Sequence, residues 1–176
     1  HSHDACDNNP LPGGSPNEPC LQDLRHGLCV TRQDFAFLTE HISTLTDRNW
    51  EEVYLLRDGD EPVMQSGTLV ANRIDCTDGF HPLLAAGGEF DMMPIGMLAH
   101  AAPTPEARKA RYNRDDAESA GLYRENGALV MGVHTESKTL DFLRETRVEG
   151  MEIYNLHANI DPKIRPDLGL DPLGFF

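Results

Sequence analysis

Four apolar runs in this chain break off at a histidine or a glutamate. Phe35 to Thr39 runs into Glu40-His41, Leu83 to Gly88 into Glu89, Pro94 to Ala99 into His100, and Ala128 to Val133 into His134. Apolar runs without polar alternation are the pattern of strands covered on both faces, above all parallel ones. Helical segments stand between them, so strand–loop–helix units recur and an α/β architecture is expected. In a parallel barrel the carboxyl ends of the strands share one rim, where sites are built. A single histidine after a strand is most often structural. Three histidines and a carboxylate at matching positions are hard to place anywhere but together.

The segments between the runs read as follows. Asn17 or Glu18 can cap a helix over 19–28, with Leu21, Leu24 and Leu28 on one face and Gly27 near its end. Thr46 or Asp47 is a candidate N-cap for a helix through Leu56. Thr68 to Ile74 reads as a strand, 75–82 as a turn, and 94–99 as a short strand ending at His100. Two helical pieces, about 104–112 and 115–125, carry a solvated charged face. A helix over 135–146 turns Leu140, Phe142 and Leu143 inward, and Gly150 to Tyr154 is a last strand followed by Asn155-Leu156-His157. No fixed-period repeat and no dividing linker appear, so residues 1–176 read as a single domain.

The chain opens His1-Ser2-His3-Asp4-Ala5-Cys6-Asp7. In an extended segment alternate side chains point the same way, so His1 and His3 can grip one ion or a close pair, with Asp7 nearby. The plainer reading is a tag remnant or a solvated terminus. Neutral imidazoles and carboxylates together suit zinc, manganese or iron.

Charge narrows the partners. With 15 Lys and Arg against 29 acidic residues the formal charge is −14, a field that repels nucleic-acid backbones and anionic membranes. No apolar stretch reaches the roughly 20 residues of a membrane span. The four cysteines (Cys6, Cys20, Cys29 and Cys76) show no C-x-x-C, which argues against a zinc ribbon. Cys6 and Cys20 bracket a Pro- and Gly-rich loop that a disulfide can staple. A bridge between two of the first three cysteines stands against buried free thiols, and would imply an exported protein rather than a cytoplasmic one.

At this point the residues resemble the PHP (polymerase and histidinol phosphatase) superfamily of metal-dependent phosphoesterases. The matching pieces are His1-Ser2-His3 with Asp7, Leu38-Thr39-Glu40-His41, Gly88-Glu89, Leu98-Ala99-His100, Gly132-Val133-His134 and Glu152-Ile153-Tyr154-Asn155, in the family's order. The resemblance implies a distorted seven-stranded (β/α) TIM-like barrel with two or three divalent ions, zinc, manganese or iron. It carries over His1, His3, Asp7, His41, Glu89, His100 and His134 as metal ligands. There are departures. Glu40 stands where the family has Asp, the loop at 8–19 is long, the first barrel strand is missing, and no closing Asp-x-His motif follows His157. The barrel is therefore expected to be incomplete in this chain, as part of a longer one.

The expected function is hydrolysis of a small-molecule phosphoester by metal-activated water at the barrel rim. Arg32, Lys138 and His157 are candidate substrate contacts, because Arg and Lys near the ligand-bearing ends can hold a phosphate. For Arg32 and Lys138 an ordinary surface ion pair is the plainer reading. Asp4 and Glu136 can orient ligand histidines. His81 reads as a turn residue. Two alternatives stay open: an amide or lactone hydrolase on the same architecture, and a non-catalytic exported binding domain stabilised by metals or disulfides.

Overall fold

The computed structural model describes residues 17–152. Helix α1 covers Glu18–Thr31, and the Asn17 side chain accepts from the Cys20 N–H at its start. It runs one turn past the expected end and stops at Arg32, whose φ of 56° is left-handed. Leu21 and Leu28 lie buried on its inner face, as the leucine spacing predicts. Strand β1 (Phe35–Glu40) leads into a single helical turn, α2 (Ile42–Leu45), and then a 3-10 turn at Trp50–Tyr54. The helix expected from Thr46 or Asp47 through Leu56 is only the second of these, since α2 ends before its expected start. Asn49 caps the second through a capping box with Glu52.

A hairpin follows that was not expected in full: β2 (Glu61–Gln65) and β3 (Thr68–Arg73), joined by Ser66-Gly67. Both linking residues have positive φ (50° and 83°), the two-residue turn that suits the twist of paired strands. Then come β4 (Leu83–Gly88), β5 (Met92–Ile95), α3 (Pro105–Tyr112), α4 (Ala117–Glu125) and β6 (Leu129–Gly132). A 3-10 turn at Thr135–Ser137, α5 (Leu140–Thr146) and β7 (Gly150–Met151) complete the described residues.

These strands form one open, mixed and mostly antiparallel sheet of seven strands, not a closed barrel. The expected distorted (β/α)7 TIM-like barrel is corrected on this point. The physical reason is loop length. Only residues 89–91 join β4 to β5, and a parallel crossover needs about a dozen residues or more. The strands must therefore turn back, and Gly87 faces Ile95 antiparallel. Gly87 also has to be glycine here: a Cβ would sit 2.8 Å from the Pro94 carbonyl oxygen. Apolar runs buried in parallel and antiparallel strands read alike, so periodicity alone could not separate the two.

Two parallel pairings survive. β1 lies along the whole of β4, Phe35 opposite Leu83 through Glu40 opposite Gly88. β6 pairs with β7 across the α5 crossover. The other side of β4 is divided, with β3 beside its first residues and β5 beside Gly87. Since β5 is antiparallel to both β4 and β6, the strands β1, β4, β6 and β7 all run the same way. Their carboxyl ends share one edge of the sheet.

The helices cover one face. Leu38 and Leu84 pack with Leu21 and Leu28 of α1, while Ala86, Met92 and Val130 pack with Tyr112, Ala120 and Tyr123. The opposite face carries Phe35, Phe37 and Leu129, which are 62%, 37% and 55% exposed. A disulfide joins Cys29 near the end of α1 to the buried Cys76 before β4, with Cα atoms 5.9 Å apart. This pairing reaches beyond the first three cysteines, because β1–β4 pairing brings residues 47 apart together. Cys20 is disulfide-bonded as well, while Cys6 lies outside the described residues. Among the described residues no helix is long and apolar enough to cross a membrane.

Candidate functional site

The common carboxyl edge gathers His41 after β1, Glu89 after β4, His134 after β6 and Glu152 after β7. The first two are locked together by the backbone. Glu89 donates its N–H to the carbonyl of Glu40 at 2.8 Å, extending the β1–β4 pairing one step past the strands. The His41 carbonyl then accepts from the N–H groups of Thr44 and Leu45 and from the Thr44 hydroxyl, which starts α2. Glu40 itself is fully buried, and the Thr44 hydroxyl lies 3.4 Å from its carboxylate.

His134 and Glu89 approach each other: Nε2 lies 3.9 Å from Oε1, with the imidazole 48% and the carboxylate 11% exposed. His41 is half-buried and belongs to the same electrostatic group. Burial holds its pKa below the ordinary histidine value, the Glu89 carboxylate pulls it back up, and His134 pushes it further down. A neutral imidazole is the form that binds metals. His134 has a left-handed backbone, φ 50°. Its carbonyl accepts from the N–H and hydroxyl of Ser137.

Two imidazoles and one carboxylate at one edge fit a transition-metal ion in chemistry. Among the described residues no three His, Cys, Asp or Glu side chains close on one point as a finished metal site. His1, His3, Asp7 and His157 lie outside the described residues, as do Asp4 and the side chain of Glu136.

His100 sits elsewhere. The strand before it, β5, ends at Ile95 and runs against the others, so its end lies toward the opposite edge of the sheet. The Arg48 carbonyl can only accept, so Nε2 of His100 carries the proton it shares there at 2.9 Å. Nδ1 then accepts from the Tyr112 hydroxyl at 2.8 Å, and that hydroxyl accepts from the Ala101 N–H. Trp50 packs edge-on against the ring at 4.9 Å. Burial pushes the His100 pKa down to about 4, against the pull of the Arg48 carbonyl and with help from the Arg108 charge. With both nitrogens bonded to protein, this imidazole anchors the core and is not offered to the edge.

The two cations read as phosphate contacts separate in the same way. Arg32 precedes β1, at the far edge, where it pairs with Asp78 at 2.7 Å and lies over the Phe80 ring. Lys138 reaches Asp91, two residues after Glu89: its amine stands 3.8 Å from Asp91 and 3.5 Å from Asp115, over the Phe142 ring, and only 10% exposed. His81 occupies the turn before β4, with Nδ1 3.3 Å from the Ile74 carbonyl. Asp91 and Asp115 carry no mark in the sequence that sets them apart from other surface carboxylates. Glu152 carried one signal, its place in the Glu152-Ile153-Tyr154-Asn155 piece of the last expected strand. Set against protein-family models, curated proteins and solved structures, the chain matches none of them.

Proposed function

We propose that the carboxyl edge of β1, β4 and β6 is the site of a metal-dependent hydrolase acting on phosphoesters, with His41, Glu89 and His134 as metal donors. One observation carries this reading: His134 and Glu89 meet at 3.9 Å at the ends of two co-directional strands, with His41 ending a third. The phosphoester class and the likeness to the PHP superfamily rest on the residue pattern at these ends and not on the fold. A divalent zinc, manganese or iron ion held there supplies Lewis acidity and lowers the pKa of water toward neutrality. The resemblance assigns His1, His3 and Asp7 to the same ions, residues that lie outside the described part of the chain.

The protein's own part is to hold these donors. The Glu89–Glu40 backbone bond positions the carboxylate, and burial disfavours the charged form of His41. Lys138, held between Asp91 and Asp115, is the cation nearest this edge of the two considered, and would meet the phosphate of a bound ester. The Cys29–Cys76 disulfide supports an exported setting.

The test is metal content per chain by elemental mass spectrometry, on protein purified without an affinity tag or chelator. A panel of phosphomonoesters, phosphodiesters, lactones and amides follows. Bound zinc, manganese or iron with phosphoester turnover upholds the reading. Turnover confined to lactones or amides moves the substrate class. A folded protein that takes up no metal and hydrolyses nothing overturns the reading in favour of a binding domain.

A further inference from the structure

We infer that Glu152 is a positioning residue of this site and sets the direction in which His134 presents its imidazole. The inference rests on the reading of His134 as a metal donor. Glu152 follows β7 directly and reaches the end of β6 by three separate bonds. Its N–H donates to the Gly132 carbonyl at 2.8 Å, continuing the parallel pairing. Its carbonyl accepts from the Thr135 hydroxyl at 2.7 Å. Its carboxylate Oε2 accepts from the His134 N–H at 3.2 Å.

The last bond matters because of the backbone at His134. A residue with a Cβ pays on the order of 1 kcal/mol to hold a left-handed φ, and the chain relaxes unless its neighbours over-determine it. Here Ser137 holds the carbonyl side of His134 and Glu152 holds the N–H side. The bond to Glu152 ends on a carboxylate oxygen, so its acceptor is charged, and it is the bond that fixes the N–H side. Since Cα and Cβ direction follow from the backbone, this carboxylate sets where a half-exposed imidazole points relative to Glu89. Such supporting partners typically change metal affinity about 10- to 100-fold when removed.

The experiment is calorimetric titration of Zn²⁺ into the metal-free full chain, with thermal melting alongside. The variants are His134→Ala, Glu152→Ala, Glu152→Gln and Thr135→Val. The expectation is that Glu152→Ala weakens zinc binding roughly tenfold. Glu152→Gln keeps an amide oxygen for the His134 N–H and stays within about threefold of the parent. Thr135→Val loses a bond to Glu152 but not the carboxylate contact, and leaves affinity unchanged. Equal losses in Glu152→Ala and Thr135→Val would mean general loosening and overturn the positioning role. So would a Glu152→Gln as weak as Glu152→Ala, which would make charge the cause. If His134→Ala loses affinity while Glu152→Ala does not, this inference fails and the site stands. If His134→Ala binds zinc like the parent, the site itself fails.

Discussion

The backbone N–H of Glu89 donates to the carbonyl of Glu40 at 2.8 Å, one step beyond the last paired residues of β4 and β1. That bond ties the ends of the two strands together. It places a carboxylate and the following histidine, His41, at the same level of the sheet edge without using either side chain. A donor set assembled on bonded strand ends is held more rigidly than one assembled on loops.

From the edge itself, His134→Ala and Glu89→Gln should each lower zinc affinity by about tenfold or more, since each removes a donor. His100→Gln should leave zinc affinity unchanged, because both ring nitrogens of His100 are spent on Arg48 and Tyr112. Calorimetric titration of the three variants decides this. A loss in His100→Gln equal to that in His134→Ala would contradict the geometry.

Stability should fall as the pH drops from about 6.5 toward 4, with His100 as one source. Its folded pKa is depressed to about 4 while the unfolded chain keeps the ordinary value of 6.5. Between those values the unfolded state binds the extra proton, so the contribution is present above pH 6.5 and lost on acidification. At pH 5 the loss is at most about 2 kcal/mol, from roughly 1.4 kcal/mol per pH unit. Urea midpoints at pH 7 and pH 5 measure it, and the difference should shrink in His100→Gln.

Replacing Cys29 and Cys76 together with alanine should cost about 4 kcal/mol, from the entropy of opening a loop of this size. The pair closes a separation of 47 residues. Chemical denaturation of the double variant against the parent, both without reductant, reads the difference. Equal stability would mean that the β1–β4 pairing alone already confines the unfolded chain.

Asp60→Ala should be among the most destabilising single changes, about 3–5 kcal/mol. The Asp60 side chain is fully buried and accepts from both terminal nitrogens of Arg25 at 2.7 and 2.6 Å. It also accepts from the Asn72 amide and from the N–H groups of Arg57 and Asp75. Removing it strands a nearly buried guanidinium. Thermal melting checks this, and a shift under a few degrees would show that solvent reaches Arg25.

Local order was legible in the sequence because it depends on neighbours along the chain. The leucine spacing of α1, the polar break after each apolar run and the glycines of the turns follow from helix period, strand burial and backbone freedom. The sequence alone therefore marked His41, Glu89 and His134 as strand-end donors, and the structure brings those three to one edge. Strand direction was not legible in the apolar runs, which say that a strand is buried and not which way it runs; the short stretch between the runs at 83–88 and 94–99 held the signal, too few residues for a parallel crossover. Tertiary structure shows the turn those few residues make. The three-residue link from β4 forces β5 back on itself, which opens the expected barrel into a mixed sheet and carries His100 into the core against Tyr112. Two other tertiary pairings, β1 with β4 and β6 with β7, set Cys29 beside Cys76 and Glu152 beside His134, contacts that no local pattern encodes.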